Sequence, residues 1–238
     1  MDLKNIIDNH IFSSKLEDIN LENARVINTI NPHSFCVAKS DTKFQHALKR
    51  SDVLLPDGVG ISLATKILRG KSIQKIAGAD IHQYLLKHAN KHGKKVFYLG
   101  ASQNTLDLIE ARIKKEYPNI RVSSYSPPYK SEFSEDDSAD MITEVNLFRP
   151  DILFVGMTAP KQEKWVEAHK EQLSASTITS IGAVFDFYAG TVKRSNPIWI
   201  NLGLEWLPRL VREPKRLWKR NFVSSPLFLW YTFKAKLN

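Results

Sequence analysis

Short apolar, β-branched runs alternate along this chain with longer stretches of helical period. Arg25–Ile30, Val53–Pro56, Lys95–Gly100, Ile120–Ser123, Asp151–Gly156 and Thr177–Gly182 predict strands. Helices are predicted between them, over roughly 33–50, 58–69, 79–92, 102–116, 135–148 and 160–172. Leu106, Ile109, Ile113 and Tyr117 recur at the spacing of one buried helix face. Ser134, followed by Glu135, Asp136 and Asp137, supplies a cap and an acidic first turn for the next helix. Strictly alternating strands and helices build a parallel sheet covered on both faces. The expected fold is therefore α/β, a Rossmann-like parallel sheet flanked by helices.

In such a sheet, ligands lie beyond the carboxyl ends of the strands. Those ends here are Thr29–His33, Pro56–Gly60, Gly100–Asn104, Gly156–Pro160 and Gly182–Asp186, and small residues dominate them. Small residues let a ligand approach the backbone. Gly100 and Ser102, opening a helix, offer N–H groups and a helix dipole to a diphosphate. A single turn of this kind is often only a tight connection. Several in one sheet, interspersed with Asn, Asp and Gln, point to a nucleotide or nucleotide-sugar site. Asp57 follows a buried strand beside two glycines, where a carboxylate can serve as general base. The competing reading is a cap for the helix beginning at Gly58.

Other chemistries find little support in the residues. Gly58 and Gly60 lack the third glycine of a dinucleotide fingerprint, which argues against a nicotinamide oxidoreductase. Gly70-Lys71-Ser72 imitates the end of a P-loop, but Thr65 stands where its first glycine belongs. No histidine or cysteine spacing implies a metal site, and no cofactor is expected. The one cysteine, Cys36, forms no intrachain disulfide, so the cytoplasm is the expected compartment. Neither a signal peptide nor a spanning segment is expected: Phe222–Phe233 is too short and contains Pro226.

Charge divides the chain. The net charge is +9, of which +8 falls in the last 48 residues and about +1 in the first 190. A catalytic core over 1–190 and a basic, aromatic appendage over 191–238 follow as the expected organisation. Arg209, Arg212, Arg216 and Arg220 recur near one helical face, with Leu210, Leu217 and Trp218 among them. The run Pro226–Phe233 adds an aromatic cluster suited to an anionic membrane surface. The bland alternative packs Trp218 and Trp230 on the body and leaves the charges solvated. Nucleic acid is the rival partner for a basic chain, disfavoured by the near-neutral body and the lack of a recognised module. The apolar tail also leaves self-association into a homo-oligomer open.

Several segments together resemble the WecG/TagA/CpsF glycosyltransferases. They are Thr29–Phe35, Ser51–Gly60, Ala77–Asp80, Phe97–Ser102, Pro150–Glu163, Ile181–Gly190, Trp206–Arg209 and Glu213–Trp218. The resemblance runs from about residue 24 to the tail. It implies an inverting, metal-independent hexosyltransferase acting peripherally at the cytoplasmic face of the bacterial membrane. The donor would be a UDP-sugar and the acceptor a polyprenyl-diphosphate-linked sugar in cell-surface polysaccharide synthesis. N-acetylmannosamine is the expected sugar, with its uronate, glucose or glucuronate as alternatives within the family.

Carried over by position, the resemblance makes Asp57 the base, with Thr29 and Asn31 lining its pocket. Gln162 and Asp186 would lie near the nucleotide. Arg209, Arg216 and Lys219 would close over a diphosphate from the tail, belonging either to departing UDP or to the acceptor lipid. Lys75 stands where a family arginine is expected, and Lys219 replaces another. Lysine keeps the charge but loses the bidentate fork for phosphate.

Overall fold

The structure is a computed structural model. It describes residues 1–192 and 214–237 together with Trp199, Leu207 and Leu210, the side chains of Lys215 and Arg216 excepted. Among the described residues, six strands form one parallel sheet in the order β2-β1-β6-β5-β3-β4. They are β1 (Val26–Ile30), β2 (Val53–Pro56), β3 (Lys95–Gly100), β4 (Arg121–Tyr125), β5 (Ile152–Gly156) and β6 (Thr177–Ser180). The expected parallel α/β sheet is present.

Alternation along each strand feeds two separate layers. One face carries Ile27, Leu55, Val96, Tyr98, Ile152 and Phe154. It is covered by α5 (Gly78–Lys91), α6 (Gln103–Glu116) and α9 (Val184–Ala189). On α6 the predicted stripe is buried at Leu106, Ile109 and Ile113. Tyr117 has become the C-cap. The other face carries Phe97, Leu99, Leu153, Val155 and Ile178 under α7 (Glu135–Phe148) and α8 (Lys161–His169). Ile30 and Leu54 continue that face beneath α1 (Leu3–Asn9), α2 (Pro32–Ser40), α3 (Thr42–Lys49) and α4 (Val59–Arg69).

The long helix predicted over 33–50 is two helices. Asp41 ends α2 as its C-cap and starts α3 as its N-cap, accepting from Phe44 N at 2.9 Å. Lys164 Nζ holds the same carboxylate at 3.0 Å, which ties the break to α8. These bonds hold the Asp41 carboxyl below its ordinary range, the Phe44 N–H foremost. A local capping signal within the polar run over 39–43 thus divides the predicted helix.

The end of the chain packs on the body. Helix α10 (Pro214–Trp218) passes into a short π-helical stretch, Lys219–Ser224, and then into α11 (Ser225–Leu237). Phe228 is fully buried in the layer formed by α1, α2 and α4. Its ring meets Phe35 of α2 edge-on at 5.3 Å. Ser224 Oγ lies 2.8 Å from His33 Nδ1, and Cys36 Sγ donates to Ser224 O at 3.4 Å. The tail is therefore anchored through one side while Trp218, Phe222, Trp230 and Phe233 stay exposed. Helix α11 buries one face and exposes another, and Trp218 and Trp230, which the alternative reading packs on the body, are both exposed.

Removing an anchored aromatic leaves a cavity that the two packed helices cannot collapse into. Phe228→Ala should cost about 3–5 kcal/mol. Denaturant unfolding would register this as a lower midpoint at unchanged slope. A loss below about 1 kcal/mol would mean that α11 does not pack as described.

Candidate active site

The site is set by where the chain leaves the sheet. Strand β3 passes into α6 on one face, while its neighbour β5 passes into α8 on the other. The same reversal occurs between β6, followed by α9, and β1, followed by α2. Neighbouring strands departing to opposite faces leave a crevice beyond their carboxyl ends. This crevice runs from the end of β3 to the end of β1.

Glycines bring its floor close together. Gly100 and Gly156 are in register across β3 and β5, and a Cβ on Gly100 would stand 2.4 Å from Gly156 O. Gly100 has φ +121 and Ala101 has φ +60, so the chain turns sharply out of the strand. A Cβ on Gly156 would strike the Phe185 ring at 2.5 Å. Ser102, one of the proposed diphosphate contacts, is the N-cap of α6 and accepts from Thr105 N at 3.3 Å.

At the other end of the crevice, Thr29, Asn31, Asp57 and Lys75 are gathered. Thr29 pairs with Leu55 in register, and Asp57 N donates to Ile30 O at 2.8 Å. The Ile76 N–H donates to Pro56 O at 2.9 Å, which draws Lys75 alongside Asp57. Asn31 caps α2, its Oδ1 accepting from His33 N and Ser34 N at 3.0 Å each. Its amide nitrogen takes no part in these capping bonds. The N-cap of α4 is Gly58, not Asp57, at φ +87. Gly60 meets Pro32 so closely that a Cβ would lie 2.5 Å from its ring, and this joins the starts of α2 and α4.

The remaining predicted residues separate. Gln162 is buried, its Oε1 accepting from Met157 N at 3.1 Å just past β5. Asp186, in the first turn of α9, accepts from Thr191 Oγ1 through its main-chain oxygen at 3.2 Å and its carboxylate at 3.4 Å. Lys219 is exposed at the head of the π-helical stretch. Arg209 lies outside the described residues, and of Arg216 only the backbone within α10 is described. The tail cations nonetheless register at this end of the sheet. The His33 pKa is lowered first by burial, then by the charges of Arg220 and Lys219. His33 stands two residues beyond Asn31.

A cavity of about 420 Å³ opens elsewhere, lined among others by Phe133, Ser138, Ile142 and His169, and touches none of these strand ends. Among the described residues, no group of three or more His, Cys, Asp or Glu is placed to hold a metal ion.

Glu163 was not among the predicted site residues. It is fully enclosed in the first turn of α8, next to Gln162. Its neighbours Gln162, Trp165 and Val166 share the buried face, so a carboxylate at a core position was the available signal. Burial pushes its pKa up to about 7, against smaller lowering effects from the Gln162 hydrogen bond and Lys164.

A carboxyl whose folded pKa exceeds its unfolded value destabilises the fold as pH rises from that unfolded value toward about 7. Glu163→Gln should therefore be more stable than the parent chain at pH 8, with the advantage shrinking toward pH 5. Thermal melts of both proteins across that range would measure this. A pH-independent difference would contradict the burial.

The profile of the family described as "Glycosyl transferase WecG/TagA/CpsF family" matches residues 5–238. A protein of Bacillus subtilis strain 168 is 32% identical over 213 residues, 90% of this chain and 80% of its own length. Its name is N-acetylglucosaminyldiphosphoundecaprenol N-acetyl-beta-D-mannosaminyltransferase. Proteins of the same name from Bacillus spizizenii and Staphylococcus aureus strain MW2 are 30% and 29% identical. They cover 94% and 87% of this chain and 85% and 79% of their own lengths. A match of this extent places the chain in the WecG/TagA/CpsF family of glycosyltransferases.

Proposed function

We propose that this protein transfers N-acetylmannosamine from a UDP-linked donor to a polyprenyl-diphosphate-linked N-acetylglucosamine, with inversion at the anomeric carbon. The observation that carries this reading is the convergence of Thr29, Asn31 and Asp57 at one end of a glycine-floored crevice. The relatives' names supply the sugar and the acceptor.

The chemistry follows from what each part offers. The acceptor hydroxyl attacks the anomeric carbon as its proton passes to the Asp57 carboxylate, and the bond to UDP breaks. Thr29 and Asn31 hold the sugar and acceptor in line. The charge on departing diphosphate is met by the helix start at Ser102 and by Lys75, with Arg209, Arg216 and Lys219 contributed from the tail. No metal is required in this reading.

Attachment to the membrane belongs to the same proposal. No helix among the described residues is long and apolar enough to cross a membrane. Helix α11 instead exposes Leu229, Trp230, Phe233 and Leu237, spaced along the side away from Phe228 and Thr232. Lys234 and Lys236 flank that stripe. Aromatic rings at the headgroup level with cations beside them suit an anionic leaflet. The lipid-linked acceptor would then be met at the surface that holds it.

Asp57→Asn should lower turnover by roughly 10²-fold or more while UDP binding persists. Product formation from UDP-N-acetylmannosamine and a polyprenyl-diphosphate N-acetylglucosamine analogue, followed by mass, measures it. A folded Asp57→Asn protein turning over at the parent rate would remove Asp57 as the base. For the membrane, Lys234→Ala with Lys236→Ala should weaken partition onto phosphatidylserine-containing vesicles by about 2 kcal/mol, or about thirty-fold. Equal partition onto neutral vesicles would end the electrostatic reading.

A further inference from the structure

The buried carboxyl of Glu163 has no part in the chemistry above, yet it grips Gln162, which the family resemblance puts near the nucleotide. Gln162 Nε2 donates to Glu163 Oε1 at 2.8 Å while Gln162 Oε1 accepts from Met157 N at 3.1 Å. Together the two bonds fix which way the carboxamide faces. Reversal would set an NH2 group against a main-chain N–H and an oxygen against a carboxyl oxygen. The seat is at the crevice itself. A Cβ on Gly182, just beyond β6, would lie 3.5 Å from Gln162 Oε1 and 3.7 Å from Nε2. Met157 follows Gly156, the last residue of β5. The second Nε2 hydrogen takes no partner among the described residues.

We propose that Glu163 is a positioning residue for the nucleotide half of the donor, holding the Gln162 carboxamide so that its remaining N–H serves an acceptor oxygen of a nucleoside diphosphate sugar. The inference rests on the reading of the crevice as the donor site. The brace needs only an acceptor at Oε1. Both the carboxylate and the carboxylic acid supply one, so raising the carboxyl pKa to about 7 leaves the brace intact on either side of neutrality. Glutamine at 163 supplies the same acceptor. Methionine matches the length but supplies none. The other carboxyl oxygen, Oε2, is buried without a hydrogen-bond partner among the described residues, so no bond seen there accounts for the carboxyl.

The test compares Glu163→Gln, Glu163→Met and Gln162→Ala in the full chain, with UDP as the probe in calorimetric titration. Glu163→Met and Gln162→Ala should each weaken UDP binding about ten-fold, while Glu163→Gln stays within about two-fold of the parent. Amide exchange gives a second measurement. In Glu163→Met the Met157 amide should lose protection while those of Ile152–Val155 keep theirs, a local change that general destabilisation would not produce. If Glu163→Met does not fold, the exchanged pair decides. Gln162→Glu sets two carboxyl groups face to face and should expose the Met157 amide, and adding Glu163→Gln should restore its protection.

Unchanged UDP affinity in Glu163→Met beside a weakened Gln162→Ala would overturn the inference alone. Unchanged affinity in Gln162→Ala would overturn it together with the donor-site reading. Glu163→Gln as weak as Glu163→Met, or no restoration in the double variant, would overturn it as well.

Discussion

The site depends on how closely the carboxyl ends of β3, β5 and β6 can approach one another and the elements that follow them. At Gly100 a single added carbon would sit inside the Gly156 carbonyl, and at Gly156 it would sit inside the Phe185 ring. Bulk at these ends would force the strands apart or push Phe185 off the sheet. Fully buried, Phe185 packs edge-on against Tyr98 and thus ties α9 to β3. Three helices start just beyond these strand ends, and their free N–H groups stay clustered because the strands do. The shape of the crevice is therefore a consequence of packing as much as of any single side chain.

The fold was legible because its strands, the edge strand β4 excepted, are short and largely buried, while its helices carry a clear period. The misread element shows what periodicity misses. Apolar residues stand on either side of a polar run over 39–43, and Asp41 within it breaks the helix because its carboxylate satisfies Phe44 N and reaches Lys164 on α8. That second partner is 123 residues away and has no local signature. Helices α1 and α9 were not anticipated, being only 7 and 6 residues long. So short an element has little room to display a period.

The candidate site was legible in part and for a definite reason. Residues at strand ends, such as Thr29 and Asp57, announce themselves by following an apolar run. Parallel pairing then brings Thr29 beside Leu55, and the Asp57 N–H onto Ile30 O. Several polar residues singled out at those ends turn out to have structural work as well. Asn31 caps α2, Ser102 caps α6, and Gln162 satisfies the Met157 N–H. Capping and ligand binding are compatible at Asn31 and Gln162, since Asn31 caps through its oxygen rather than its amide nitrogen and Gln162 Nε2 carries a second hydrogen. Glu163 escaped notice because its place on the buried face of α8 follows from tertiary packing, and its chemistry from desolvation.

Charge placement gains its meaning from the anchoring of the tail. A basic segment joined by a loose linker would sample every orientation, and its cations would be screened beyond about 8–10 Å. Here Phe228 is sunk between α1, α2 and α4, and Ser224 meets His33 at the start of α2. The cations Lys219 and Arg220 are thereby held near the end of β1, close enough to depress the His33 pKa. The same helix turns Trp230, Phe233 and the terminal lysines outward. One anchored stretch thus carries positive charge at both ends, Lys219 and Arg220 beside the start of α2 and Lys234 and Lys236 far along α11. An acceptor whose diphosphate joins a sugar to a membrane-embedded chain would have to bridge those two places, so a fixed separation between them would select where along the acceptor the enzyme can act.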